Sequence, residues 1–180
     1  MEKLHVPCLA VVVFSKDRPC QLLSCLSSLL THVHGVELEV AVIYKASSTA
    51  YWESYDVVRR VMSADSLDRS PALSSRCKDV AFHWDEEDES HLLGALLDRA
   101  LARVKDRCEA LLLTVDDAFW IDDFDAGAAV RLLQDMRIYA IHAKLCPRIE
   151  YAHPNNKFMR VPPLSHTRMA TTTSGPDFLV

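Results

Sequence analysis

Three features of this sequence predict an α/β fold, a three-layer sandwich around a mostly parallel central sheet. Apolar segments rich in β-branched residues alternate four times with segments whose leucines recur at helical spacing. The links are mostly short, as strand–helix–strand crossovers require. The first strand candidate, residues 9–14 (LAVVVF), is apolar throughout, the mark of a strand covered on both faces.

The elements follow in order. After the first strand, Leu22, Leu23, Leu26, Leu29 and Leu30 trace one helix face, with Pro19 in the first turn and Gly35 as a stop. Residues 38–44 (LEVAVIY) form the second strand. Ser47, Ser48 or Thr49 then caps a helix that turns Tyr51, Tyr55, Val58 and Met62 inward, with Trp52 read as part of the same stripe. Residues 63–76 are polar, contain Pro71 and read as a loop. The third strand, residues 79–84, leads into an acidic run over 85–89. Ser90 is expected to cap a helix with Leu92, Leu93, Leu96, Leu97, Leu101 and Val104 inward. The acidic run has a plain explanation there, because carboxylates are favoured near a helix N-terminus. Residues 110–115 (ALLLTV) make a fourth strand ending on Asp116 and Asp117. Asp122 or Asp123 starts a further helix through Val130, Leu132, Leu133 and Met136, followed by a fifth strand over 138–143 and a short one over 149–151.

Composition narrows the function. The 180 residues suit one α/β domain, placed over 1–153, with an irregular tail over 154–180. The tail carries Pro154, Pro162, Pro163 and Pro176 without periodicity and reads as the start of a missing region. Asp and Glu number 25 against 20 Lys and Arg, a net charge of −5. No basic field exists to grip a phosphate backbone, so nucleic acid is not an expected partner. An acidic chain that handles phosphates would do so through a divalent cation. The longest apolar run, residues 8–14, is far short of the ~20 residues of a membrane span. The cysteines Cys8, Cys20, Cys25, Cys77, Cys108 and Cys146 form no C-x-x-C pair. They are read as reduced, mostly buried thiols of a cytoplasmic protein.

In an open parallel sheet, ligands bind outside the carboxyl ends of the strands, where the strand order reverses. If the four strands run third, second, first, fourth, that reversal lies between the first and the fourth. The loops after them, residues 15–18 (SKDR) and 116–120 (DDAFW), would then face one another. The first offers hydroxyl, cationic and helix-start N–H groups suited to an anion. The second offers two adjacent carboxylates, the donor type that Mg²⁺ or Mn²⁺ takes while keeping sites for water and phosphate oxygens. Asp also ends strands simply as a turn former. Asp122, Asp123 and Asp125 are explained by helix capping.

Taken in order, residues 9–20 (LAVVVFSKDRPC), 42–49 (VIYKASST) and 110–125 (ALLLTVDDAFWIDDFD) resemble a nucleotide-diphospho-sugar transferase of the GT-A fold, a Rossmann-like architecture. Residues 143–154 (AKLCPRIEYAHP) fit the family's strand after the metal site. The resemblance implies a glycosyltransferase whose D-x-D-type motif holds Mn²⁺ or Mg²⁺ on the donor's diphosphate. Asp116 and Asp117 take that place, as D-D-A. It implies nucleotide-sugar contacts from Phe14, Ser15, Asp17 and Arg18, and from Asp116 and Trp120. Lys45 and Ser47 stand where the family often has an acid for the nucleoside, and Asp85 or Asp88 would reach the base. The implied partners are a UDP- or GDP-linked sugar and an acceptor hydroxyl. No residue is assigned as general base. Two other readings stand beside it: a nucleotide-sugar-binding module without catalysis, and another Mg-dependent phosphate-handling α/β enzyme.

The remaining chemistry-bearing residues have structural explanations. His32 and His34 suit the negative end of a helix, and no Cys/His spacing matches a structural zinc site. Cys20 and Cys25 near a helix start are read as packing, and Trp120 serves either ring stacking or the core.

Overall fold

The computed structural model describes residues 5–63 and 80–141, with the backbone of 151–152 and 157–158. The chain divides into two compact units, Met1–Val130 and Arg131–Val180. The first holds β1 (Cys8–Lys16), α1 (Pro19–His32), β2 (Val33–His34), β3 (Glu37–Lys45), α2 (Thr49–Met62), β4 (Ala81–Glu86), α3 (Leu93–Val104), β5 (Ala110–Val115) and β6 (Phe124–Asp125). Helix α4 (Ala126–Leu133) runs across the boundary between the units. In the second unit, β7 (Tyr151–Ala152) pairs antiparallel with β8 (Lys157–Phe158).

The central sheet has four strands in the order β4-β3-β1-β5, and every pairing is parallel. This is the expected third-second-first-fourth order, with the reversal between β1 and β5. The fold is therefore α/β with a parallel, Rossmann-like sheet. Alternation along the strands divides the core. Leu9, Val11 and Val13 of β1 and Leu38, Val40 and Val42 of β3 pack with Leu22, Leu26, Leu29 and Leu30 of α1 and Tyr55, Val58 and Met62 of α2. The intervening residues Val12, Ala41 and Ile43 pack with Leu96 and Ala100 of α3, and Phe14 and Leu97 lie against them.

Helix boundaries follow local chemistry. Pro19 stands in the first turn of α1, where its missing N–H costs nothing. Ser48 caps α2, its side chain accepting from the Tyr51 N–H. Several expectations need correction. Ser90 does not cap α3; Leu92 stands at that position without a side-chain cap, and Leu92 and Leu93 face outward. The three inward positions Leu96, Ala100 and Val104 suffice for a helix only 12 residues long. Tyr51 and Trp52 are exposed, because the inward stripe of α2 starts at Tyr55. The last helix starts later than expected, at Ala126, with Asp125 Oδ1 accepting from the Ala128 N–H at 2.9 Å. It also ends at Leu133, which leaves Met136 exposed.

Residues 138–141 of the expected fifth strand are not in a strand. Asp135 explains the local geometry: its carboxylate closes a turn on the Arg137 N–H and guanidinium. That pairing holds the Asp135 carboxyl at about 2. Residues 142–143 and 149–150, the loop over 64–76 and nearly all of the tail over 154–180 lie outside the described residues.

The cysteine expectation is overturned for one pair. Cys8 and Cys108 form a disulfide with a Cα–Cα distance of 4.4 Å, 100 residues apart. They meet because β1 and β5 start side by side: the Glu109 N–H donates to the Cys8 carbonyl, and the Cys8 N–H donates to Glu109 Oε2. Spacing could not show this, since the two strand starts become neighbours only in the sheet. Cys25 is buried and directs its thiol at the Val115 carbonyl, and Cys77 and Cys146 lie outside the described residues. No helix among the described residues is long and apolar enough to cross a membrane.

Gly35 shows how tightly the short β2–β6 ladder is closed. Its φ is +77°, and a Cβ there would lie 2.8 Å from Asp125 Oδ1 and 3.2 Å from the Gly127 nitrogen. Gly94, in the first turn of α3, would meet nothing within 4 Å. Gly35→Ala is therefore expected to destabilise the fold by roughly 1–3 kcal/mol, while Gly94→Ala stabilises it by roughly 0.5–1 kcal/mol. Urea unfolding of the two variants measures both signs.

Candidate functional site

Because β1 and β5 are adjacent and parallel, their carboxyl ends deliver Ser15 and Asp116 to the same place. Asp116 is only 4% exposed, and the Ser15 hydroxyl donates to its Oδ2 at 2.8 Å. The Tyr55 hydroxyl lies 2.7 Å from Ser15 Oγ and accepts the Arg18 N–H at 3.1 Å. An ionised carboxylate only accepts, so the Ser15 proton points at Asp116 and Tyr55 must donate to Ser15. The result is one directed chain: Arg18 N–H to Tyr55, Tyr55 to Ser15, Ser15 to Asp116. Burial pushes the Tyr55 hydroxyl above its ordinary titration range, which keeps it a donor at neutral pH.

Asp117 turns the other way, with its side chain 59% exposed. The Arg18 guanidinium reaches back over the pair, 3.6 Å from Asp116 Oδ1 and 3.4 Å from Asp117 Oδ2, and is itself half exposed. The two loops expected to face one another thus meet through these three side chains.

A second strap joins the β1 and β3 loops. Asp17 has φ +54°, a left-handed conformation that Asp and Asn tolerate better than most residues. Its N–H donates to the Lys45 carbonyl at 3.0 Å. Its carboxylate accepts from the Ser47 N–H at 2.7 Å and the Ser47 hydroxyl at 2.8 Å. These bonds, the backbone one foremost, hold the Asp17 carboxyl below its ordinary range. Lys45 extends along the rim to Glu87 Oε1 at 3.2 Å. Beyond it Glu86 accepts from Tyr44 and from the Trp52 indole.

The other expected residues stand elsewhere. Phe14 packs on the α3 side of the sheet, beside Val12 and Ile43. The Trp120 ring lies against Phe124 with centroids 5.0 Å apart, and the Trp120 backbone N–H donates to Ser28 Oγ. Asp85 is buried and committed to α3, with Arg103 at 2.5 and 3.0 Å and Arg99 at 3.5 Å. Asp88 closes its own turn, accepting from the Ser90 and His91 N–H groups at 2.7 and 2.6 Å. The His91 ring, first, and those N–H groups lower its carboxyl's titration. His32 and His34 both approach Asp123 Oδ1, at 3.2 and 3.0 Å, and hold that carboxyl low.

Tyr55, Glu86 and Glu87 belong to this rim and were not singled out from the sequence. Tyr55 carried only a helical-stripe signal, which marks burial and says nothing of its hydroxyl. The acidic run over 85–89 contained Glu86 and Glu87 but did not separate them from Asp85 and Asp88.

The oxygen donors of Asp116 and Asp117 suit a hard divalent cation. One Asp116 oxygen is held by Ser15, the Asp117 carboxylate is exposed, and the only cation within 4 Å of either among the described residues is the Arg18 guanidinium. No protein-family model matches this chain, and no curated protein matches it at a significant level.

Two substitutions test the geometry. Tyr55→Phe leaves the Ser15 hydroxyl and the Arg18 N–H short of a buried partner and should cost about 1–3 kcal/mol, measured by urea unfolding. Asp17→Asn keeps the left-handed turn but removes a titrating group. Since the folded Asp17 pKa is lowered, its contribution is fully present above the unfolded value near ~3.9 and fades as pH falls through the folded value. Between about pH 5 and 2, the variant should lose stability less steeply than the parent chain.

Proposed function

We propose that this chain is a metal-dependent nucleotide-diphospho-sugar transferase of GT-A type, moving a sugar from a UDP- or GDP-linked donor to an acceptor hydroxyl. One observation carries the reading: Ser15, Arg18, Asp116 and Asp117 converge at the strand-order reversal, where open parallel sheets bind ligands. The ordered resemblance of residues 9–20, 42–49 and 110–125 to that family supports it.

Asp116 and Asp117 would hold Mn²⁺ or Mg²⁺. A bound divalent ion supplies charge stabilisation on the diphosphate leaving group. The rest is done by this chain's own groups. Ser15 and Tyr55 fix Asp116 in one orientation, so a carboxylate oxygen is preorganised. Arg18, paired with both aspartates, is long and half exposed, and can turn its guanidinium onto a phosphate, which it matches in charge and fork geometry. Asp17 sets the position of Ser47, and Lys45 adds a cation on the adjacent strand end, the side a nucleoside would occupy. No described residue is assigned as general base.

Thermal denaturation with UDP or GDP, with and without Mn²⁺, tests the binding half. Melting should rise only when nucleotide and metal are both present, and Asp117→Ala should abolish the rise. Equal stabilisation in EDTA would remove the metal from the reading. Turnover of a UDP- or GDP-sugar then separates a transferase from a module that binds without catalysis.

A further inference from the structure

At the opposite, amino-terminal end of the sheet, three potential metal ligands converge and a fourth stands beside one of them. Cys8 opens β1, and Cys108 follows α3 just before β5. Their sulfurs and a Glu39 carboxylate oxygen all lie within 4.8 Å of one another. Glu39 is a buried carboxylate on β3, opposite Ala10 in the register. Next to it, His83 of β4 places Nε2 3.7 Å from Glu39 Oε2. That nitrogen is buried and has no hydrogen-bond partner, an unusual state for a buried polar atom. Alternation puts Cys8, Glu39 and His83 on the side of the sheet that α3 covers.

We infer that the reduced chain binds one Zn²⁺ through Cys8, Cys108 and Glu39, with His83 completing the set, and that the Cys8–Cys108 disulfide is the closed state of this site. Two sulfurs, one imidazole nitrogen and one carboxylate oxygen are ligands that zinc takes in tetrahedral geometry. With zinc–ligand bonds of about 2.0–2.3 Å, neighbouring ligand atoms stand roughly 3.5 Å apart. The 3.7 Å between His83 and Glu39 already approaches that value.

Arg107 shows how Glu39 is compensated without metal. Its guanidinium grips both oxygens, Nη1 at 2.7 Å from Oε1 and Nη2 at 2.7 Å from Oε2. Zinc bound on Oε2, the oxygen facing His83, leaves Oε1 for Arg107, and a hydrogen-bonded carboxylate ligand is the usual arrangement at metal sites.

The conversion needs a reductant, a dithiol or a phosphine. A dithiol gives two electrons and two protons to the S–S bond. Two thiols form, and the dithiol becomes its own disulfide. Zinc then binds the two sulfurs as thiolates and releases their two protons to solvent. A disulfide oxidant restores the closed state: it takes two electrons and two protons from the metal-free thiols and is itself reduced to two thiols. The inference does not depend on the proposed transferase activity, whose residues lie at the other end of the strands.

The test uses the full chain, reduced anaerobically with a phosphine and freed of reductant, then titrated with Zn²⁺ or with Co²⁺ as a spectroscopic stand-in. The reduced chain should bind one equivalent, with a thiolate-to-cobalt charge-transfer band, and the oxidised chain none. Cys8→Ser/Cys108→Ser should abolish the band, while Glu39→Gln and His83→Ala should each weaken affinity about 10–100-fold. Circular dichroism establishes that each variant is folded. Retention of the band in the double serine variant would overturn the inference by assigning the metal to other cysteines. So would the absence of binding when a thiol assay shows Cys8 and Cys108 reduced.

Discussion

A carboxylate buried at the end of a strand must be compensated, and Asp116 sets that requirement for the carboxyl end of this sheet. It is nearly inaccessible, and what faces it is a hydroxyl from β1 and a guanidinium from the start of α1. Ser15 gives its one proton to Asp116 and so accepts from Tyr55, which draws α2 into the same arrangement. Tyr55 in turn needs the Arg18 N–H, which fixes the first residue before α1. One buried charge thereby couples β1, α1, α2 and β5. Polar chains of this kind specify a single arrangement when every member is satisfied, and cost stability when one is not.

The parallel sheet was legible because its signals are local. Residues 9–14 are apolar on both faces, and a strand of that kind belongs in the middle of a parallel sheet. β1 does sit there, between β3 and β5. The leucine spacing of α1 marked Leu22, Leu26, Leu29 and Leu30, all fully buried. Helix starts were less legible. A serine before an amphipathic run reads as a cap at Ser90 as much as at Ser48, but only Ser48 accepts from a backbone N–H of its helix. At Ser90 the neighbouring Asp88 takes the N–H groups of the turn.

Site residues divided along similar lines. Asp116, Arg18 and Ser15 could be brought together from sequence because strand order alone places strand ends side by side. The roles of Asp85 and Asp88 could not be separated, since both belong to one acidic run. Their difference comes from alternation: Asp85 lies on the face that α3 covers and meets Arg103, whose charged form it stabilises by hydrogen bonding. Asp88 lies past the end of the strand and bonds its own loop. The Cys8–Cys108 bond and the Glu39–His83 contact span four separate segments. No spacing rule reads such a set, because the residues become neighbours only through register.

In a parallel sheet every strand begins at one end and finishes at the other, so chain direction sorts chemistry in space. Here the finishing ends carry Ser15, Asp17, Asp116 and Asp117, whose donors are hard oxygens. The starting ends carry Cys8 and Cys108 beside Glu39 and His83, where sulfur and imidazole stand with one carboxylate. Divalent ions discriminate between such sets by ligand softness and geometry. A hard ion that keeps most of its water shell gains little from two sulfurs, and zinc gains more from those sulfurs than from an aspartate doublet. On the two proposed readings, the two ends would therefore select different metals with the core strands between them. Neither selection needs a dedicated domain; it follows from which residue types enter the strands and which leave them.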